Sequence, residues 1–202
     1  LAKIPQRWGY SSDGRGLLLT KWVSPRKLEG SVHQLNWYLD LISSLGLKTF
    51  PPKLSFPLSK KEKTEAKEML LSLNMDLRRP LVLLNPGASY GPAKRWSALK
   101  FSELASLLQK RKMASVLVVG SDNEAQLAMS ICSMMREKPV SLAGKTSLIR
   151  LASLISNADL FITNDSGPMH LANALRIPVI AIFGPTDPSL SGPYQQPAAV
   201  IK

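Results

Sequence analysis

The chain has 202 residues, of which 45% are hydrophobic and 20% charged, and its formal net charge at pH 7 is +12. This is the composition of an ordinary folded protein, which excludes a disordered, collagen-like or disulfide-stapled chain. The single cysteine, Cys132, cannot form an internal disulfide, and with two histidines it cannot complete an ordinary structural zinc site. No apolar run approaches the roughly 20 residues that span a bilayer.

The positive charge lies in the first half of the chain. Residues 1–112 hold 20 basic and 8 acidic side chains, whereas residues 113–202 hold 6 of each. Such a bias indicates either an anionic partner, such as a phosphorylated substrate or an acidic membrane surface, or simply a solvated basic face. Nucleic acid is not expected as a partner, because the basic residues are scattered and no nucleic-acid-binding motif is present.

Residues 1–58 are expected to form a separate segment of loops, short strands and one helix. Apolar residues recur at helical spacing over residues 37–45, and this predicted helix ends at Gly46. The prolines of 51–57 then prevent a helix or a central strand from continuing. Ser59 and Glu62 form a capping box that predicts a helix over 60–73. We therefore place a domain boundary after residue 58.

Residues 59–202 are expected to form an α/β domain with a doubly wound parallel sheet, because short apolar runs alternate with helical patterns. In such sheets ligands bind beyond the carboxyl ends of the strands. The predicted strands cover 81–84, 115–119, 140–142, 159–162 and 178–183, the last of which is expected to be the final strand, and the helices between them cover 99–111, 124–135, 147–156 and 169–175.

Residues 85–96 form a glycine-rich loop after the first of these strands. Ser89 offers a hydroxyl, and Lys94 and Arg95 place cations just before a helix. Backbone N–H groups, a helix dipole and cations together suit a diphosphate. The alternative is a glycine-rich loop whose cations are incidental.

Residues 120–124 follow the next strand and contain two carboxylates. A carboxylate at this place can accept both hydroxyls of a ribose. Alternatively, Asp122 caps the next helix and Glu124 lies in its first turn. Both hold together if Asp122 caps the helix and Glu124 is free for the sugar.

The loop 142–147 contains Gly-Lys-Thr, but the first glycine of a P-loop would fall on Pro139, so this motif fails. We expect Thr146 or Ser147 to cap the next helix, with the loop bordering a nucleotide base.

The loop 163–170 places Asp165 and Ser166 where a helix begins, with Pro168 in its first turn. The small residues leave backbone N–H groups open to an anion or a sugar hydroxyl. His170 either points into the same crevice or packs the helix.

In these loops the sequence resembles the bacterial ADP-heptose:lipopolysaccharide heptosyltransferases, glycosyltransferase family nine, and most closely the heptosyltransferase II type. The resemblance covers nearly the whole chain, since residues 1–50 are similar to the end of the family's N-terminal domain. The matching segments are 85–96, 142–148, 163–170 and 183–188.

The resemblance implies a GT-B type fold, in which two Rossmann-like domains face a cleft. Residues 1–58 would be a remnant of the N-terminal acceptor-side domain, and 59–202 the domain that binds the ADP-sugar. The family's glycine-rich first loop, with its proposed general base, is expected to lie upstream of Leu1, and the family's helices that follow the final strand are expected to be missing too. We therefore expect the chain as printed to bind ADP without transferring heptose.

The resemblance also implies roles for individual residues. Lys94 would bind the diphosphate and stabilise it as it leaves, and Arg15 would contact the acceptor. The other implied donor-binding residues are Ser89 at the diphosphate, Glu124 at the ribose, Thr146 near the adenine, and Asp165, Ser166, Gly167 and His170 facing the diphosphate and heptose.

The implied reaction transfers L-glycero-D-manno-heptose from ADP-heptose to the lipopolysaccharide inner core (lipid A with its Kdo sugars). No metal or other cofactor is expected, and the protein would be cytoplasmic, in peripheral contact with the anionic inner face of the bacterial inner membrane. Two alternatives stay open: a nucleotide-sugar-binding module without catalysis, and a nucleotide-sugar epimerase of similar architecture.

Overall fold

The computed structural model describes residues 4–25, 32–89, 91–137, 139–195 and 197–202. The chain divides into two compact units, one comprising residues 1–52 with 189–191 and the other residues 53–188 with 192–202. Within the described residues, no helix combines the length and the apolar character that crossing a membrane would require.

The described residues of the first unit include a short parallel strand pair and a helix. Strands β1 (Trp8–Tyr10) and β2 (Lys21–Val23) are joined by a 3-10 segment, and helix α1 covers Gln34–Ser44. The helix begins before the predicted residue 37 because His33 caps it, with Nδ1 accepting the Leu35 N–H at 3.2 Å.

The second unit is a parallel six-stranded sheet with the strand order β5-β4-β3-β6-β7-β8. The predicted alternation of strands and helices is confirmed. The strands are β3 (Leu81–Asn85), β4 (Ser115–Val118), β5 (Val140–Ser141), β6 (Leu160–Asn164), β7 (Val179–Ile182) and β8 (Ala198–Ile201), and the helices are α2 (Lys60–Ser72), α3 (Ala98–Lys112), α4 (Ala125–Ser133), α5 (Leu148–Ile155) and α6 (Gly167–Ala174). One further short helix, α7 (Pro188–Ser191), belongs to the first unit except for its first residue.

Both faces of this sheet are covered by helices, as a doubly wound fold requires. Successive residues of β3 alternate between two cores, Leu81 and Leu83 facing α2, α5 and α6, and Val82 and Leu84 facing α3 and α4. Phe101 of α3 and Phe161 of β6 are fully buried in these cores. The sheet is thus a rigid platform for the loops at its carboxyl edge.

The final strand is β8, so the expectation that the strand at 178–183 ends the sheet was wrong. The run Ala198–Ile201 pairs with β7 in parallel although its side chains are largely exposed. The segment that leads into β8 is held by the buried Asn173. The amide Nδ2 of Asn173 donates to the Gln195 carbonyl, and its Oδ1 accepts the Gln195 N–H at 3.0 Å. A short, half-exposed edge strand leaves little hydrophobic signal in the sequence.

The boundary between the units also differs from the expected position after residue 58. Residues 53–58 belong to the second unit, because Phe56 and Leu58 pack against its core. The helix α2 begins as predicted, with the Ser59 hydroxyl and the Glu62 carboxylate forming a capping box. This reciprocal bonding holds the pKa of Glu62 below its usual value.

Candidate functional site

The order in which the chain adds strands to the sheet reverses between β3 and β6. From β3 the chain proceeds through β4 to β5 on one side, and then returns to place β6 on the other side of β3. The loops after β3 and β6 therefore leave in opposite directions, which opens a crevice at the carboxyl edge. All strands of this sheet are parallel, so their predicted loops meet at this edge.

A cavity of about 280 Å³ lies in this crevice. It brings together four of the predicted donor-binding side chains, Ser89, Glu124, Thr146 and Ser166, one from each of the four loops. The complete lining is Asn85, Ser89, Gly120, Ser121, Glu124, Thr146, Ser147, Leu148, Leu151, Ser166 and Pro168. Its walls combine small polar side chains with an apolar corner at α5.

The loop 85–96 is fastened to β6 at both ends by one buried side chain. The Asn164 amide Nδ2 donates to the Pro86 carbonyl at 2.7 Å, and its Oδ1 accepts the Trp96 N–H at 3.0 Å. Asn164 is fully buried, so these bonds are shielded from water. These bonds hold both ends of the loop against the sheet.

Lys94 and Asp165, predicted in separate loops, form an ion pair. Lys94 Nζ lies 2.5 Å from Asp165 Oδ2, and the Thr186 hydroxyl donates to the same oxygen at 2.9 Å. The side chains of Lys94 and Asp165 are only 20% and 8% exposed. The cation predicted to meet a diphosphate is thus already held by a carboxylate beside Ser166.

Glu124 lines the cavity, but the expectation that Asp122 caps the helix while Glu124 is free was wrong. Glu124 Oε2 accepts both the Ser121 N–H at 2.7 Å and the Ser121 hydroxyl at 2.8 Å, which completes a capping box. Ser121 is the better cap because its extended backbone precedes the helical turn.

The Glu124 carboxylate also lies directly over Gly87. A Cβ atom at Gly87 would sit 1.8 Å from Glu124 Oε1, so the first and second loops meet only because residue 87 has no side chain. The second and third loops meet in the same way, since a Cβ at Gly144 would lie 2.9 Å from Asp122 Oδ1.

The third loop ends at Ser147, one of the two predicted caps. The Ser147 hydroxyl accepts the Arg150 N–H at 3.3 Å and begins α5. Thr146 is therefore left to face the cavity, beside Leu148 and Leu151. This corner offers the apolar surface that a planar base requires.

Ser166 begins helix α6 as predicted, with Pro168 in the first turn. The Ser166 side chain makes no capping bond to its own helix. Open space surrounds Gly167, where an added Cβ would meet nothing within 4 Å. The Gly167 amide lies at the positive end of the helix dipole, whereas Pro168 has no N–H group to offer.

Two predicted residues, His170 and Arg15, make interactions of their own. His170 is half-buried in α6 and is not among the described residues that line the cavity; it has interactions of its own. Arg15 belongs to the first unit and pairs with Asp13 at 2.7 Å on the exposed surface. Their predicted roles stay predictions.

Sequence reasoning missed two residues of the site. Thr186 lies in the turn after β7, and its hydroxyl completes the Lys94–Asp165 cluster. Asn85 is the last residue of β3, and a polar residue that ends a buried strand at a ligand-binding edge was the available signal. Among the described residues, no three His, Cys, Asp or Glu side chains are grouped to hold a metal.

The sequence matches the model of glycosyltransferase family 9 (heptosyltransferase) over residues 1–202. The lipooligosaccharide heptosyltransferase 2 of Haemophilus influenzae is 32% identical over 213 aligned residues, covering all of this chain and 60% of that protein. The structure of the Escherichia coli ADP-heptose LPS heptosyltransferase II is 31% identical with a TM-score of 0.83, over 98% of this chain and 62% of that one.

A family 9 glycosyltransferase structure from Veillonella parvula is similar to this chain at a TM-score of 0.84 and 28% identity, over 98% of this chain and 56% of that one. The chain thus spans about 60% of the length of the curated heptosyltransferase it matches. These structures confirm the expected α/β class and its GT-B relationship. Because the family match extends over the whole chain, this protein belongs to glycosyltransferase family 9.

Proposed function

We propose that this chain is the donor-binding part of a type II heptosyltransferase, which transfers L-glycero-D-manno-heptose from ADP-heptose to the lipopolysaccharide inner core. The observation that carries the proposal is the crevice at the β3/β6 switch point, where side chains from all four predicted loops line one cavity. The names of the Haemophilus influenzae and Escherichia coli relatives support the same donor and acceptor. Membership of a transferase family favours transfer over epimerisation.

The diphosphate would lie at the start of α6. The Gly167 N–H and the Ser166 hydroxyl would donate hydrogen bonds there, and Lys94 is held by Asp165, the residue before Ser166. A diphosphate competes with the Asp165 carboxylate for Lys94, because both are anionic oxygen ligands. The Lys94–Asp165 pair therefore keeps the cation in place before the donor arrives.

The nucleoside would extend away from α6 across the rest of the cavity. The Glu124 carboxylate would accept the ribose hydroxyls, and the adenine would rest between Thr146 and the apolar side chains of Leu148 and Leu151. When the ribose binds, some of the hydrogen bonds that Glu124 accepts from Ser121 would be replaced by hydrogen bonds from the sugar hydroxyls. His170 would face the heptose from the next turn of the helix.

In the transfer step an acceptor hydroxyl attacks the anomeric carbon of the heptose. Its C–O bond to the diphosphate breaks, the electron pair leaves with ADP, and the hydroxyl proton passes to a general base. Negative charge grows on the departing diphosphate, so Lys94 and the α6 dipole stabilise the transition state more than the ground state. These groups supply the electrostatic part of catalysis.

We further propose that the first unit meets the lipid-bound acceptor at an anionic membrane surface, with Arg15 among the acceptor contacts. Trp8 and Trp22 are 45% and 57% exposed, and Lys21 Nζ lies 5.1 Å from the centre of the Trp8 ring. Exposed tryptophans beside lysines suit a membrane interface, where the ring and the cation both find partners.

The proposed function predicts a preference among nucleotides. In calorimetric titrations, ADP-heptose and ADP are expected to compete for one site. UDP is expected to bind at least about tenfold more weakly, because the smaller pyrimidine ring would bury less apolar surface against Leu148 and Leu151. Absence of ADP-heptose binding, or equal affinity for UDP, would contradict the proposal.

Replacing Lys94 tests the diphosphate contact. Lys94→Met should weaken ADP binding by about 1.5–3 kcal/mol, the size of a charge-assisted hydrogen bond. Lys100→Met is the matched control, because Lys100 pairs with Glu103 on the exposed face of α3. If calorimetry gives both variants the wild-type affinity, Lys94 does not contact the donor.

The same substitution has a separate effect on stability. Lys94→Met leaves the buried Asp165 carboxylate without its cation, which should lower the free energy of unfolding by about 3 kcal/mol. Adding Asp165→Asn removes that charge, so urea unfolding of the double variant should return toward the wild-type midpoint while ADP affinity stays low. Recovery of both properties would show that Lys94 has a structural role only.

Glu124→Gln tests the ribose contact without removing the capping box, since glutamine also serves in that motif. ADP affinity is expected to fall roughly tenfold, about 1.4 kcal/mol, while pyrophosphate affinity stays unchanged because pyrophosphate has no ribose. Equal losses for the two ligands would mean that Glu124 acts through the structure of the loop alone.

Membrane contact is tested by co-sedimentation with vesicles. The protein should bind vesicles containing anionic lipid, bind purely zwitterionic vesicles little, and be released by salt, since each lysine near such a surface contributes about 1 kcal/mol. The double substitution Lys21→Gln and Trp22→Ala should reduce the bound fraction. Equal binding to both kinds of vesicle would argue against an electrostatic membrane surface.

A further inference from the structure

Asn85 occupies the central position of the crevice, at the end of β3 where the sheet changes direction. It is 1% exposed and lines the cavity. Its side-chain Nδ2 donates two hydrogen bonds, one to Thr163 Oγ1 at 3.0 Å and one to Ser166 Oγ at 2.9 Å. Both acceptors belong to the neighbouring strand and the start of α6.

The other half of the Asn85 amide is unpaired. Its Oδ1 is buried and has no hydrogen-bond partner among the residues that the structure describes. A buried carbonyl oxygen without a partner destabilises the fold, and native proteins contain few of them. An unpaired buried oxygen at a ligand-binding edge indicates that Asn85 is needed at this position for its two N–H groups.

The two N–H groups of Asn85 determine which hydrogen bond the Ser166 hydroxyl can donate. The Thr163 hydroxyl donates its own proton to the Asn164 carbonyl at 2.9 Å, so its oxygen can only accept. Ser166 Oγ already accepts from Asn85, and it lies 3.0 Å from Thr163 Oγ1. The Ser166 hydroxyl must therefore be the donor, either to Thr163 or to a ligand in the cavity.

We propose that Asn85 is a positioning residue that fixes Ser166 as a hydrogen-bond donor to the diphosphate of the nucleotide. In the absence of ligand the Ser166 hydroxyl donates its hydrogen bond to Thr163 Oγ1. When a phosphate oxygen enters, the hydroxyl rotates toward the anion while the Asn85 N–H continues to occupy a lone pair of Ser166. This inference rests on the proposed function, because it requires a diphosphate at the start of α6.

The test is a double-mutant cycle on ADP binding measured by calorimetry. Ser166→Ala and Asn85→Leu should each weaken ADP binding about fivefold to tenfold, and Asn85→Leu should have no further effect in the Ser166→Ala background. Asn157→Leu is the control for removing a half-buried amide elsewhere in the same unit. Asn157 bonds to the Ser153 carbonyl, outside the crevice, so its loss should leave ADP affinity unchanged.

Asn85→Asp gives a second readout that a purely structural residue would not change. At neutral pH the carboxylate would accept a hydrogen bond from the Ser166 hydroxyl and repel the anion, so ADP binding should fall at least about thirtyfold. The ratio of wild-type to variant affinity should shrink between about pH 8 and about pH 5, because a buried carboxyl regains a proton and can donate again. The Asn85→Asp measurement tests the proposal even if the Asn85→Leu variant fails to fold.

The outcomes separate the two claims. If the wild-type protein binds no ADP, the proposed function fails and this inference with it. If the wild type binds ADP but the losses for Asn85→Leu and Ser166→Ala are additive, the inference alone is overturned. A pH-independent ratio for Asn85→Asp would also overturn it.

Discussion

The structure of the site depends on one constraint, the side-by-side placement of the ends of β3 and β6. These strands are neighbours in the sheet, and Asn85 and Thr163 are paired although they lie 78 residues apart in the chain. Because the sheet reverses its order there, the two following loops separate and leave a crevice. Hydrogen bonds from Asn85 and Asn164 then join the two sides of this gap.

The same constraint explains the electrostatics of the crevice. Lys94 reaches across from the β3 loop to Asp165 at the end of β6, where Thr186 from the β7 turn also bonds. A cation paired in this way is held in one place, so the entropy of ordering a long side chain is not lost again when the donor binds. The site is therefore preorganised for an anion while its own charges stay balanced.

Much of this arrangement could be predicted from the sequence. The strand and helix alternation, the four loops and the capping box at Ser59 all follow from local patterns, which are confirmed in the sheet. Residues such as Ser89 and Ser166 are placed at the crevice simply because they follow strands of a parallel sheet.

What could not be predicted depends on contacts between distant segments. Strand β8 is short and exposed, and it is fixed by an amide of α6 rather than by its own apolar pattern. The Glu124 carboxylate lies over Gly87 of another loop, a contact that the local pattern of residues 120–124 does not indicate. The pairing of Lys94 with Asp165 requires the tertiary structure, since each residue alone suits several roles.

The central claim, that a nucleoside diphosphate lies across the crevice with its phosphates at α6, is tested most directly by amide chemical-shift mapping on this 22.1 kDa protein. Pyrophosphate is expected to shift the amides of Ser166 and Gly167, while ADP should shift these and also those of Ser121, Glu124 and Thr146. Shifts concentrated outside the crevice, or pyrophosphate shifts that spare the start of α6, would contradict the account.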